Sequence, residues 1–280
     1  MTTGLVQRMV PAGLWELFER VVPSAPERPQ GGGRRRHGDR EVLAAIIFVA
    51  TSGCTWNQLP PDFGPSGVTA SRRFTEWSQT RVWAKLHRLV LDELGARGEL
   101  DWSRCAIDSV SIRALKGGPL TGPSPTDRGK PGSKIHLIVD RNGLPISIGI
   151  SAANDHDSQA LIPLMRGIPP IRSRFGPRRR RSAKLHGDKG YDHDHLRNWL
   201  RRRQIVPRIA RRGIEASDRL GRHRWVVERT MSWLNGCRRL HRRYERKPEH
   251  FLAFVGIAST LICYRRIISS KGATGTRRPA

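Results

Sequence analysis

The sequence predicts an α/β protein: a mixed five-stranded sheet with helices, preceded by a small all-helical region. Three observations carry this. Apolar residues fall at helical spacing from Pro11 to Gly95. From Trp102 onward, strand-like runs replace them, and Asn142-Gly143 stands between two such runs. Helical and strand-like segments then alternate to the end of the chain, an order that calls for parallel strands joined by helical crossovers.

The elements follow in order. Leu14, Trp15, Leu17 and Phe18 predict a helix over 11–22. A Pro/Gly/Arg stretch over 23–38, with Gly31-Gly32-Gly33-Arg34-Arg35-Arg36, reads as a flexible basic linker. Asp39 is placed to cap a helix over 40–52, and Gly53 to end it. Helices are expected over 66–77 and 81–95. Arg104 to Arg113 reads as a strand, Lys116 to Ser133 as a Gly/Pro-rich loop, and 134–140 and 144–150 as a hairpin turning at Arg141-Asn142-Gly143. A short helix over 158–166 precedes a Pro/Arg-rich segment, 169–181, and a strand ending at Asp188. A helix over 193–203, a short strand over 204–208, a helix over 222–237 and a last helix over 248–268 complete the pattern. The tail, 269–280, is expected to be disordered. This divides the chain into a helical domain, 1–98, and an α/β domain, 99–268. Three strands, helix, strand, helix, strand, helix is the order of a ribonuclease-H-like fold, in which the first and fourth strands are neighbours.

Charge narrows the function. Lys+Arg number 51 against 24 Asp+Glu, a formal +27 over 280 residues. Such an excess is self-repulsive unless a polyanion neutralises it, and nucleic acid is the leading partner. No basic amphipathic helix or lipidation signal points to a membrane, no secretory signal is legible at Met1–Val10, and the apolar run Phe251–Ile268 reads as a buried helix. Cys54, Cys105, Cys237 and Cys263 are far apart, without a C-x-x-C pair, and read as reduced core cysteines of a cytoplasmic protein rather than zinc ligands. No small-molecule substrate is indicated.

Against this basic background three carboxylates stand out: Asp108 within a strand, Asp188 at the end of another, and Glu228 in a helix. Acids converging on a DNA-binding face need a cation, and phosphodiester chemistry supplies the reason. Two Mg2+ ions can serve the attacking and the leaving oxygens, and Mg2+ takes oxygen ligands. In this reading Asp108 bridges both ions, Asp188 holds one and Glu228 the other. Taken singly, each acid is more often a turn, hydrogen-bonding or surface ion-pair residue. Asp140, Asp155, Asp157, Asp192 and Glu245 compete, and spacing does not choose among them.

The surrounding motifs do choose. Gly53-Cys54-Thr55-Trp56-Asn57-Gln58-Leu59-Pro60 and Arg73-Phe74-Thr75-Glu76-Trp77-Ser78 lie in the N-terminal part. Ile107-Asp108-Ser109, Ser133-Lys134-Ile135-His136-Leu137, Asp188-Lys189-Gly190-Tyr191-Asp192 and Arg224-Trp225-Val226-Val227-Glu228-Arg229 lie in the second. Trp233-Leu234, Arg238-Arg239-Leu240 and Arg243-Tyr244-Glu245 follow. In order and spacing these resemble the DDE transposases of bacterial insertion sequences, in the IS five group, over nearly the whole chain. The resemblance implies a ribonuclease-H-like catalytic domain with Asp108, Asp188 and Glu228 as a metal-binding triad taking two Mg2+, or Mn2+ in their place. It implies end recognition by the helical domain, double-stranded DNA partners (terminal inverted repeats and target), and a homodimer or higher multimer on paired ends in the bacterial nucleoid. The chain departs from the wider superfamily's Tyr, Arg, Glu, Lys pattern: Arg224 and Glu228 fit, but Gly221 and Asn235 take the Tyr and Lys positions.

Arg224, Asn235, Arg238, Arg239, Lys134, Lys189, Arg201 and Arg202 are the expected DNA contacts, and the runs Arg178–Arg181 and Arg201–Arg203 are read as bracketing the metal site. Trp225 and Trp233, eight residues apart on one helix face, read as core, with base stacking as the alternative. Two rival readings are a nuclease of the same fold without strand transfer and a non-catalytic DNA-binding remnant.

Overall fold

The computed structural model describes residues 2–25, 36–211, 213 and 217–274. The expected basic linker therefore lies mostly outside the described residues. Five helices come first: α1 (Thr2–Met9), α2 (Ala12–Glu19), α3 (Asp39–Ser52), α4 (Gly67–Gln79) and α5 (Val82–Ala96). The sequence reading missed α1, which Pro11, the N-cap of α2, separates from its successor. Gly38 rather than Asp39 caps α3, because the Asp39 carboxylate is taken by the buried Arg73. Ser66 caps α4, its hydroxyl accepting from the Thr69 N–H at 3.2 Å.

The sheet has six strands rather than five: β1 (Cys105–Arg113), β2 (Gly122–Pro123), β3 (Pro131–Asp140), β4 (Pro145–Ala152), β5 (Lys184–Gly187) and β6 (Val206–Ile209). β1 pairs antiparallel with β3 and parallel with β5, which pairs parallel with β6. The expected adjacency of the first and fourth long strands is thus present. β4 pairs β3 on its other edge, where the two-residue β2 adds the sixth strand. The β3–β4 turn closes through Gly143 at φ 87°, a left-handed conformation that costs glycine nothing. α6 (Ser158–Gly167) and α7 (Asp194–Arg201) occur in the crossovers, and α8 (Ser217–Leu234) and α9 (Pro248–Thr274) follow the sheet. α9 continues past Ile268, with the Ser269 hydroxyl bonding the Arg265 carbonyl, so 269–274 is helical rather than disordered.

The two faces of the sheet can be told apart from its registers. Ser109, His136 and Gly149 share one face, and a Cβ on Gly149 would meet Leu164 of α6 at 3.1 Å. Asp108, Leu137 and Ile148 share the other, and Ile148 reaches α9 at Gly256. α8 packs on α9 and on β1, β3 and β5, and so covers this second face.

One apolar core runs from Val6 to Ile267 across the 98/99 boundary. Phe74 of α4 stacks on Phe254 of α9 with ring centroids 4.5 Å apart, and His87 of α5 meets the Pro145 carbonyl at 3.0 Å. α9 is long and apolar enough to cross a membrane, but 72% of its most apolar window is buried in the protein, as expected of a core helix.

Candidate active site

Asp108 and Asp188 are brought together by strand pairing. The β1–β5 register matches Cys105 with Leu185 and Ala106 with His186. Continued by two residues, it sets Asp108 level with Asp188, whose backbone is still extended at φ −79° and ψ −177°. Neighbouring strands lie about 4.8 Å apart. Level residues on parallel strands also share a face, so both side chains are on the side covered by α8. Both residues are half-buried. The Asp108 Oδ1 accepts from the Ser109 N–H at 2.8 Å and the Asp188 Oδ1 from the Gly190 N–H at 2.9 Å. Two carboxylates this close repel, and a shared cation relieves the repulsion.

Glu228 is exposed on α8. The helix is fixed at this point by the β3–β4 turn. The Thr230 hydroxyl donates to the Gly143 carbonyl at 2.7 Å, and Arg229 Nη2 to the Asn142 carbonyl at 2.7 Å. Among the described residues no group of three or more His, Cys, Asp and Glu stands close enough to hold a metal ion. The structure therefore joins the two aspartates and puts Glu228 on the helix over the same face, without closing the three into a cage. As a donor set the paired aspartates fit a divalent cation, offering oxygen ligands that leave room for water and substrate.

The competing acids each have an internal task. Asp140 is buried and accepts from the Asp101, Asn142 and Leu144 N–H groups at 2.9, 3.0 and 2.8 Å. Burial pushes its pKa up to about 6 despite those bonds. Asp157 lies on the α6 face, 3.0 Å from the Lys134 ammonium and 2.8 Å from the Ser109 hydroxyl. Asp155 accepts from the Ala152 N–H at 3.0 Å, Asp192 pairs with Arg197 at 2.7 Å, and Glu245 with Arg239 at 2.8 Å. Spacing alone left these as rivals; none of them stands level with Asp108 across the β1–β5 pairing.

The expected DNA contacts divide in two. Arg201, Arg202, Asn235 and Arg238 are exposed, and Lys189 is half-exposed in the turn after Asp188. Lys134 and Arg239 are buried and engaged, Lys134 with Asp157 and Arg239 with Glu245 and the Cys54 carbonyl. These two hold the fold together and are not carried forward as DNA contacts. The side chains of Arg224 and Gly221 lie outside the described residues. Arg178–Arg181 precede the start of β5, and Arg201–Arg203 precede the start of the parallel β6, whereas Asp188 follows the end of β5. The arginine runs therefore sit at the opposite end of the sheet from Asp188 instead of bracketing it.

Trp225 and Trp233 are not core. They are 49% and 39% exposed, and the Arg229 guanidinium lies between them, 4.5 Å from each ring. The spacing of 225, 229 and 233 is the signal for such a ladder, since every fourth residue shares a helix face.

Comparison with known proteins identifies the family. Residues 102–263 match the family described as "Transposase DDE domain", and residues 10–87 the one described as "Putative transposase of IS4/5 family". The chain is 44% identical over 228 residues to the "Putative transposase for insertion sequence element IS402" of Burkholderia cepacia, covering 81% of this chain and 95% of that one. It is 41% identical over 114 residues to a 16.2 kDa uncharacterized protein of the same insertion element, 40% of this chain and 78% of that one. Among solved structures, the piggyBac transposase synaptic complex with hairpin DNA aligns at 12% identity and TM-score 0.49, over 96% of this chain and 74% of that chain. The Mos1 strand transfer complex aligns at 14% identity and TM-score 0.31, over 88% and 82%.

Proposed function

The chain belongs to the DDE transposases of insertion sequences, and from that premise we propose that Asp108, Asp188 and Glu228 are its metal-binding catalytic triad. The family works with divalent metal. The observation that carries the assignment is the β1–β5 register, which sets Asp108 level with Asp188 on the face that α8 covers.

The reading assigns two Mg2+ ions, with Mn2+ as a substitute. Asp108 would contact both, Asp188 one and Glu228 the other. When bound, such a pair supplies Lewis acidity to the attacking and leaving oxygens of an in-line phosphoryl transfer. The protein's own part is positional. The parallel pairing fixes two carboxylates on rigid strands, and backbone N–H bonds at Asp108 and Asp188 hold their rotamers. α8 would bring the third carboxylate from the helix over the same face; its Thr230 and Arg229 bond the β3–β4 turn, beyond the pairing of Asp140 with Cys105.

The reaction proposed is cleavage at the ends of the element and transfer of the 3′-hydroxyl ends to target DNA, by a homodimer or higher multimer on paired ends. End recognition falls to the helical region, where α4 presents Val68 and Arg72, one turn apart, on its exposed side. Incubating the protein with linear DNA carrying the element's terminal repeats, with Mg2+ and separately with EDTA, tests this. Joined products with Mg2+ alone are expected. Cleavage without joining would establish the nuclease reading instead, and full activity of Asp108→Asn would remove the triad assignment.

A further inference from the structure

The arginine-rich segment before β5 is divided by function. Arg178 Nη1 donates to both Asp92 oxygens, at 2.9 and 3.0 Å, and to the Pro170 carbonyl. Arg180 donates through Nε to the Ile168 carbonyl and through Nη2 to the Arg166 carbonyl. These two pin the segment to α5 and to the end of α6. Arg179 and Arg181, which alternate with them, instead line a recess of about 710 Å3 at the start of β1, β5 and β6. Arg203 lines it as well. Its guanidinium lies 3.9 Å from the Trp199 ring centroid, and its carbonyl accepts from Arg181 Nη1 at 3.4 Å. The acidic residue in the lining, Asp101, is paired with Arg141 at 3.3 Å. At the tip of the same segment Phe175 is 81% exposed, with Arg174 beside its ring at 5.2 Å.

Ala183 and Asp188 stand five residues apart along an extended strand, which is roughly 16 Å. That is about five base-pair steps at 3.4 Å each. A phosphate seated in the recess is therefore a different phosphate from one at the aspartates.

We propose that this recess is a second DNA-binding site, gripping the phosphate backbone of a duplex segment remote from the scissile bond. Three arginines line this concave recess, and its acidic residue, Asp101, is already paired with Arg141; guanidinium forks suit phosphate oxygens, which they bind bidentately. Phe175, exposed in the same arginine-rich segment, offers an apolar ring to sugar or base edges once the backbone is held.

The double variant Arg179→Gln/Arg181→Gln removes the charge and leaves Arg178 and Arg180 in place. Binding of a random-sequence 40-bp duplex is measured in EDTA, so that the outcome is independent of the carboxylate assignment. Affinity falls about tenfold, and the slope of log K against log salt becomes shallower by roughly 2, because two phosphate contacts are lost. Unchanged affinity and slope would overturn the proposal. If the double variant melts early, Arg179→Gln alone keeps the Arg181–Arg203 bond and shows a slope change of about 1; no change there overturns the proposal equally. Assays with Mg2+ then identify the DNA held. Normal cleavage of a terminal-repeat duplex with fewer products joined to plasmid assigns the recess to target DNA. A parallel fall in cleavage and joining assigns it to the element end. Asp108→Asn, by contrast, would lose chemistry with a normal salt slope.

Discussion

The two ends of the β1–β5 strand pair carry opposite charge. At one end Asp108 and Asp188 stand level; at the other, Arg179, Arg181 and Arg203 line a recess. The same polyanion makes sense of both. Acids are tolerated beside DNA only where a cation intervenes, and uncompensated arginines only where phosphate does. Separating the two by roughly 16 Å of strand keeps the arginines from pairing with the aspartates and competing with a cation proposed there. The other acids have tasks within the fold: Asp140 holds the β3–β4 turn, Asp157 pairs with Lys134 and Glu245 with Arg239.

The largest expected effect lies at the acidic end. Asp108→Asn and Asp188→Asn keep shape and remove ligand charge. Each lowers Mg2+-dependent cleavage and joining by about 1,000-fold or more, as expected when transition-state charge stabilisation is lost. Binding of duplex DNA in EDTA stays within about twofold of wild type, since the phosphate contacts lie elsewhere. Glu228→Gln follows the same pattern. An Asp188→Asn protein that cleaves normally would break the comparison at its root.

A smaller effect separates a structural acid from those proposed to be catalytic. Asp157, the N-cap of α6, accepts from the hydroxyl of Ser109, the β1 neighbour of Asp108 that points to the α6 face. Asp157→Ala strands the Lys134 ammonium, whose side chain is 11% exposed, without its carboxylate. Removing one partner of such a pair costs about 3 kcal/mol, to be read from the denaturant midpoint. The metal concentration giving half-maximal cleavage by the folded fraction stays unchanged. If it rises instead, the two faces of β1 are not functionally separate.

Much of this was legible in the sequence, for identifiable reasons. The hairpin was, because Asn142-Gly143 between apolar runs demands a tight turn and Gly143 takes the positive φ such a turn requires. The family was, because its motifs run in order along nearly the whole chain. β2 was not: two residues, Gly122 and Pro123, carry no periodicity. The Trp225–Trp233 pair was misread because apolar side chains one helix face apart look alike in a core and in an exposed ladder; only Arg229 between them tells the cases apart. The arginine runs were misplaced because closeness in sequence to Asp188 says nothing about direction, and β5 carries the chain away from them. Lys134 and Arg239 look like DNA contacts in a chain this basic, until burial shows their partners.

The smallest effect is a pH dependence at the arginine end, where the β3–β4 turn rests on two buried titratable groups. Burial raises the Asp140 carboxyl from its ordinary 3.8 to about 6, partly offset by its three N–H bonds. Burial lowers His87, bonded to the Pro145 carbonyl, from 6.5 to about 4. The signs oppose. Between pH 4 and 6 the unfolded chain gives up the Asp140 proton first, so this group's contribution falls as pH rises. Between pH 4 and 6.5 the unfolded chain takes up the His87 proton first, so that contribution rises with pH. The wild-type profile is consequently shallow. Asp140→Asn removes the first slope and leaves the second. Its unfolding free energy, relative to wild type, should drop by roughly 2 kcal/mol on going from pH 6.5 to 4.5, given about 1.4 kcal/mol per pKa unit. His87→Gln should tilt the profile the other way. A gap between Asp140→Asn and wild type that does not change with pH would mean that the turn carboxylate titrates as it does in water, and that its three N–H bonds fully offset the cost of burial.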